Sequence, residues 1–381
     1  MGTRIRTTVT NKVFASILAT IVLAPGLSIG QQNPAAKSDQ PASDRKLWVD
    51  PRFKELPETT PRSFVILRDG TLLTVGANAT RISRDGGKSW SEPRVMVAEE
   101  GPGRPSGGLA IRTRDGAIVV VYGDAKTMKW KWDEARGEAT EARMDVWSIR
   151  SLDEGKTWID QQKIYDGHGG TMLSIIQTAS GHIVLPIQPY LPNPGRWGTF
   201  TIVSADNGKT WQKSNLIDLG GAGHHDGGIE STLVELKDGR LWLLLRTSLN
   251  RLWEAYSSNH GLYWGAIGPT KIEASSAPAC ITRLASGRLV LVWNRVFAEG
   301  ENSYPGRPPA YSIYPASWQR EEISIALSND DGKSWTKALA FAREKGGRLI
   351  YPKIIEREPG LIWIFANTLR VGVRETDLVG R

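Results

Sequence analysis

The stretch SRDGGKSW at residues 83–90 decides how this chain is read, because near-copies follow it as SLDEGKTW at 151–158, SADNGKTW at 204–211, SSNHGLYW at 257–264 and SNDDGKSW at 328–335. Each copy reads as a small turn. Its Asp accepts backbone N–H groups, its Gly permits a tight bend, and its Trp packs back against the strands it joins. Repetition at this spacing makes all five copies scaffold rather than chemistry.

A second periodic element lies between them, a run of alternating apolar residues broken by Asp-Gly or a relative. It occurs six times: VILRDGTLLTV at 65–75, IRTRDGAIVVVY at 111–122, IQTASGHIVLPI at 176–187, VELKDGRLWLLLR at 234–246, ITRLASGRLVLVWN at 281–294 and IIEREPGLIWIF at 354–365. Asp-Gly between β-rich runs is a hairpin signal, because the tight turn needs positive φ. Each unit therefore reads strand, hairpin, strand, connection, strand, box turn, strand. Four strands repeated six times predict an all-β, six-bladed β-propeller. The sixth unit lacks the box, so its outer strand is expected from the N-terminal side, around residues 46–53, closing the ring without a long free edge.

Residues 1–30 stand apart. Arg4, Arg6 and Lys12 precede an apolar run from Val13 to Leu23, the order of a secretory signal peptide, and residues 31–44 form a polar leader rich in Pro, Ala and Ser. The propeller is expected over 45–381, exported to a periplasmic or extracellular compartment, without stable membrane insertion and as a monomer. Removing the first thirty residues takes away three positive charges and no negative ones, which brings the formal +8 to +5. The remaining positive charges are dispersed among carboxylates, which argues against a nucleic-acid partner and suits a small anionic ligand. Cys280 is the sole cysteine, so the fold stands without an internal disulfide.

The repeat also separates two faces. With hairpins and box turns on one, the irregular segments 76–81, 124–145, 188–197, 220–230 and 294–320 collect on the other, where function is sought. Five residues fall there by register: Arg62 before the first strand, Glu230 at the start of the fourth blade, Arg246 ending that blade's second strand, Arg320 opening the third strand of the fifth, and Tyr351 starting the sixth.

This arrangement resembles the sialidase (neuraminidase) superfamily of Asp-box, or BNR-repeat, propellers, over roughly residues 45 to 370. Arg62 matches the position of the family's Arg-Ile-Pro motif, with Ser63 and Phe64 in place of Ile and Pro. Glu230 and Arg246 look like the family's glutamate and second arginine, Arg320 like the third, and Tyr351, in Tyr-Pro rather than Tyr-Ser, like the nucleophile. The resemblance implies an exo-acting glycoside hydrolase releasing a terminal acidic sugar from a glycan or glycoconjugate, with no metal and no cofactor. Three guanidinium groups suit a sugar carboxylate through charge-assisted, partly bidentate hydrogen bonds. A neutral tyrosine avoids the repulsion a carboxylate nucleophile would meet at an anionic anomeric centre, provided a base such as Glu230 takes its proton.

One expected part is absent. The family places an acidic Asp between the Arg-Ile-Pro strand pair and the first box, and the corresponding link here, GANATRI at 76–82, contains no carboxylate. Asp124, His224, His225 and Asp226 are alternative general acids on the same face. Two other readings stay open: a related enzyme acting on a different acidic or deoxy sugar, and a carbohydrate-binding propeller without turnover. The insertion at 124–145 has helix-compatible residues carrying Trp130 and Trp132, and Trp147, Trp197 and Trp318 are further candidates for sugar contact. Arg295 and Arg348 compete with Arg320 for its place.

Overall fold

The computed structural model describes residues 46–61, 63–307 and 311–379. The expected signal and leader segments and Arg62 lie outside the described residues. Six antiparallel sheets follow one another along the chain as the blades of a six-bladed β-propeller, with no α-helix among the described residues. The fourth blade is typical: Ile229–Glu235, Leu241–Arg246, Arg251–Ser257 and Gly265–Glu273 pair in sequence order. First strands of neighbouring blades, such as Ile229–Glu235 and Cys280–Arg283, lie side by side and line the axis.

The second strands carry the core because they are covered on both faces. Ile118–Asp124, Ile183–Ile187, Leu241–Arg246 and Leu289–Trp293 are buried along their whole length. That explains their near-continuous apolar runs. Burial between blades, rather than one central core, holds the ring together.

The box turns contribute directly to those contacts. In the first, Ser83 Oγ donates to Asp85 Oδ1 at 2.8 Å, while Gly87 N donates to Ser83 Oγ at 2.8 Å and Ser89 N to Asp85 Oδ1 at 2.9 Å. The box tryptophans pack between blades, and two of them also hydrogen-bond to the preceding one. Trp211 Nε1 donates to Ser148 Oγ at 3.1 Å and Trp264 Nε1 to Thr201 Oγ1 at 2.7 Å. Box glycines sit against the same neighbour: a Cβ on Gly155 would lie 2.4 Å from Leu73 Cδ1, and one on Gly332 2.5 Å from Trp242 Cζ3. With φ of 83° and 82°, these positions require glycine for conformation and for clearance alike.

The ring closes from the N-terminal side, at a register slightly different from the expected one. Lys54–Glu55 pairs with Leu369–Arg374 as the outer strand of the sixth blade. Leu47–Val49 instead adds a fifth strand to the fifth blade, beside Leu339–Glu344. Phe53 between them stacks on Phe341, with ring centroids 4.6 Å apart. The insertion after Asp124 is also corrected, since Lys129–Asp133 and Glu138–Arg143 form a β-hairpin. Its tryptophans find an aromatic cluster: Trp130 stacks on Trp197 at 5.1 Å and Trp132 lies edge-on to His224 at 5.0 Å. Tertiary packing outweighs helix-permissive composition there.

Candidate active site

Residues from three blades meet at the mouth on the face opposite the box turns. In the fourth blade, Ile229 pairs with Arg246 across the first two strands, and a bulge between Ile229 and Thr232 interrupts the ladder. Glu230 stands in that bulge with φ of 47°. Its backbone N–H donates to Gln188 Oε1 at 2.9 Å, a bond from the third blade that supports the unusual conformation. Bulging brings the Glu230 carboxylate beside Arg246, which donates to Oε2 through Nη1.

Tyr351 arrives from the sixth blade. The segment before it is tied to the fifth: Leu349 N donates to Arg320 O at 2.7 Å, and Asn294 Nδ2 donates to Leu349 O at 2.9 Å. Tyr351 has φ of 56° although Pro352 follows it, a conformation residues before proline seldom adopt. The phenol O–H donates to Glu230 Oε1 at 2.7 Å. Burial raises the Tyr351 pKa above its ordinary value, and the negative charge of Glu230 raises it further. The phenol is thus held protonated, with its proton already directed at a carboxylate.

Arg320 completes the described part of the site. It is buried, donates from Nη2 to Ser276 O at 2.7 Å, and has its guanidinium carbon 3.4 Å from the Trp318 ring centroid. Burial, then the charge of Arg246, pushes its pKa down. Arg348 adds charge next to Arg320 without taking its place. Arg295 instead pairs with Glu322 at 2.9 Å. Glu230, Arg246, Arg320 and Tyr351 therefore converge, and the position of Arg62 lies outside the described residues.

The alternative acids divide into two groups. Asp124 is buried and accepts the backbone N–H groups of Arg104 and Lys126, each at 2.9 Å, so it braces a loop. Asp226 does the same for the insertion, accepting from Ser312 Oγ and from Ile313 N at 3.1 Å. His224 and His225 lie closer to the arginines, with their Nδ1 atoms 3.0 Å apart. Burial, followed by the charges of Arg307 and Arg246, pushes His224 down to about 4. His225 is lowered well below its ordinary value, by burial first and then by Arg246 and Arg307. Both rings are neutral near pH 7, which leaves neither as a ready imidazolium donor. The first-blade link is a tight turn closed by Gly76 N donating to Ala79 O at 2.7 Å. Its sequence brings no carboxylate there.

Sequence reasoning missed Arg307. It lies in the irregular 294–320 insertion, where no periodicity assigns a direction to any side chain, yet it is buried among the site residues. Of the tryptophans singled out, Trp318 touches the arginines, Trp197 is buried with Nε1 donating to His224 O at 2.7 Å, and Trp147 belongs to the core between the first two blades.

A ring of six blades with an Arg–Glu–Tyr cluster at its mouth has a sialidase-like architecture. The chain belongs to the BNR repeat-like domain family, whose profile matches residues 75–364. It is 26% identical over 274 residues to a sialidase of Clostridium perfringens, an alignment covering 62% of this chain and 67% of that protein. Among solved structures it is similar to a protein of unknown function from Dyadobacter fermentans, at TM-score 0.55 and 16% identity, with 85% of this chain and 98% of that one covered. A Hadza microbial sialidase gives TM-score 0.54 at 17% identity, covering 83% of this chain and 66% of its own. A mutant form of NanB sialidase from Streptococcus pneumoniae gives 0.52 at 13%, with 83% and 68% covered.

Proposed function

We propose that this protein is an exo-acting glycoside hydrolase that releases a terminal acidic sugar of the sialic-acid type from a glycan. The observation carrying the reading is the buried hydrogen bond from the Tyr351 hydroxyl to Glu230, beside Arg246. A phenol is a poor nucleophile while protonated, and a carboxylate at 2.7 Å is placed to take its proton as the oxygen attacks. Arg246 forms an ion pair with Glu230, and Arg246, Arg320 and Arg62 are assigned to the substrate carboxylate. Attack by Tyr351 Oη on the anomeric carbon forms a tyrosyl–sugar bond and breaks the glycosidic bond. Water then hydrolyses the intermediate with overall retention. The sialidase relative and the shared family support a glycan as substrate. Export of the mature chain belongs to the same proposal, on the basic and apolar order of residues 4–23.

The test is hydrolysis of a fluorogenic sialoside by the wild type and by Tyr351→Phe. Turnover by the wild type that disappears in the variant supports the reading, and binding without turnover in the wild type refutes it. One observation favours a second reading. The first-blade link carries no carboxylate, and both nearby imidazoles are neutral, so the leaving sugar oxygen lacks an evident acid. A substrate whose leaving group needs little protonation, or an elimination from another acidic sugar, would fit that arrangement. Turnover of aryl glycosides without turnover of alkyl ones would favour it.

A further inference from the structure

Three buried guanidinium groups converge on one serine. Arg246 Nε lies 3.4 Å from Ser276 Oγ, Arg307 Nη2 donates to the same oxygen, and Arg320 Nη2 donates to the Ser276 carbonyl at 2.7 Å. Ser276 is fully buried, and Arg307 is only 8% exposed. Among the described residues, Arg246 has Glu230 as an ion-pair partner, whereas Arg307 and Arg320 form no ion pair. Among the described residues, each of the three also keeps one buried N–H nitrogen without an acceptor: Arg246 Nη2, Arg307 Nε and Arg320 Nε. Desolvated cations with unmet donors are costly, so a cluster of this kind is built for an anion that supplies the missing acceptors.

The protein holds Arg307 in place without neutralising it. Nη1 donates to Ser248 Oγ, which in turn donates to His225 O at 3.0 Å. Two cations lie over the Trp318 ring, with the guanidinium carbons of Arg320 and Arg307 at 3.4 and 4.9 Å from its centroid. An aromatic face attracts both through its quadrupole and reduces the cost of their proximity. The insertion is pinned elsewhere as well, by Tyr311 O accepting His225 N at 2.9 Å and by Asn250 Nδ2 donating to Tyr304 Oη at 3.1 Å. Anchoring the loop therefore does not depend on Arg307 alone.

We propose that Arg307 is a substrate-binding residue, supplied by the insertion, that contacts the carboxylate of a bound sugar acid together with Arg246 and Arg320. This assignment rests on the acidic-sugar reading above but not on turnover. It makes the insertion a specificity element rather than a cover for the ring.

The test is titration of N-acetylneuraminic acid and of its carboxylate methyl ester, followed by tryptophan fluorescence at pH 7, into the wild type, Arg307→Met and Arg307→Lys. Wild type should prefer the acid strongly. Arg307→Met should weaken acid binding by about 10–100-fold, the loss of a charge-assisted contact, and ester binding by no more than about twofold. A residue that only anchors the loop would weaken both ligands alike, so an unchanged acid-to-ester ratio overturns the assignment. Should Arg307→Met fail to fold, Arg307→Lys retains the charge and loses the planar fork, and a ratio reduced by at least about threefold supports the proposal. In that variant too, an unchanged ratio overturns it. A wild type that binds neither ligand overturns this assignment and the acidic-sugar reading together. Preferential acid binding that falls in the variants, without sialoside hydrolysis by wild type, supports Arg307 while removing the hydrolase reading.

Discussion

Tyr351 and Glu230, 121 residues apart and in different blades, share a 2.7 Å hydrogen bond, and both have left-handed backbone conformations. Two non-glycine residues with φ of 56° and 47° in one contact mark backbone conformations that the surrounding structure must impose. Gln188 supports one and the strap from Arg320 to Leu349 leads into the other.

If that contact is catalytic, Glu230→Gln should keep its shape and lose its basicity. Sialoside kcat should fall by about 10²–10⁴-fold, while the affinity for a non-hydrolysable acidic sugar changes little. Steady-state kinetics with a parallel binding titration check this. Equal losses in affinity and turnover would instead assign Glu230 to binding.

Removing the carboxylate altogether has a different consequence. Glu230→Ala leaves Arg246, whose side chain is 1% exposed, without its ion-pair partner. An uncompensated buried charge should cost about 3–5 kcal/mol, measured by denaturant unfolding. Glu230→Ala combined with Arg246→Met should recover much of that loss.

Acid should weaken the fold through its buried histidines. His168 and His224 are both pushed down to about 4, chiefly by burial, against about 6.5 in the unfolded chain. Between these values the unfolded chain binds the additional protons, so stability falls as pH drops from 6.5 towards 4 and changes little from this source above 6.5. Each histidine contributes roughly 1.4 kcal/mol per pH unit inside that window. His168→Phe, in contact with Trp130 and Trp197, should flatten the decline in thermal scans from pH 7 to 4.5.

Box and hairpin glycines should differ in sensitivity. Gly155→Ala meets Leu73 at 2.4 Å and retains an unfavourable φ of 83°, whereas Gly70→Ala has the same φ and nothing within 4 Å. The first should cost about 2–4 kcal/mol and the second about 1–2. Chemical denaturation of the two variants gives the comparison, and equal losses would mean that box glycines serve the turn alone.

Turn chemistry and alternation are local properties, and they were sufficient to read the ring, its six units, the two faces and the need for an N-terminal closing strand. Glu230, Arg246, Arg320 and Tyr351 were legible because each lies at a strand end whose face the repeat specifies. The 129–143 hairpin was not legible, because residues compatible with a helix became strands through the contacts of Trp130 and Trp132. Nor was Lys54–Glu55 as the closing strand, since a shift of a few residues depends on where Phe53 finds Phe341. Arg307 belongs to the same class: an insertion has no period, so only its docking against Ser248 and Ser276 could set the direction of its side chain. The repeat specified a ring and an open mouth through short-range backbone chemistry. Charge balance inside that mouth was decided by long-range packing, because burial and neighbouring charge are properties of the folded chain.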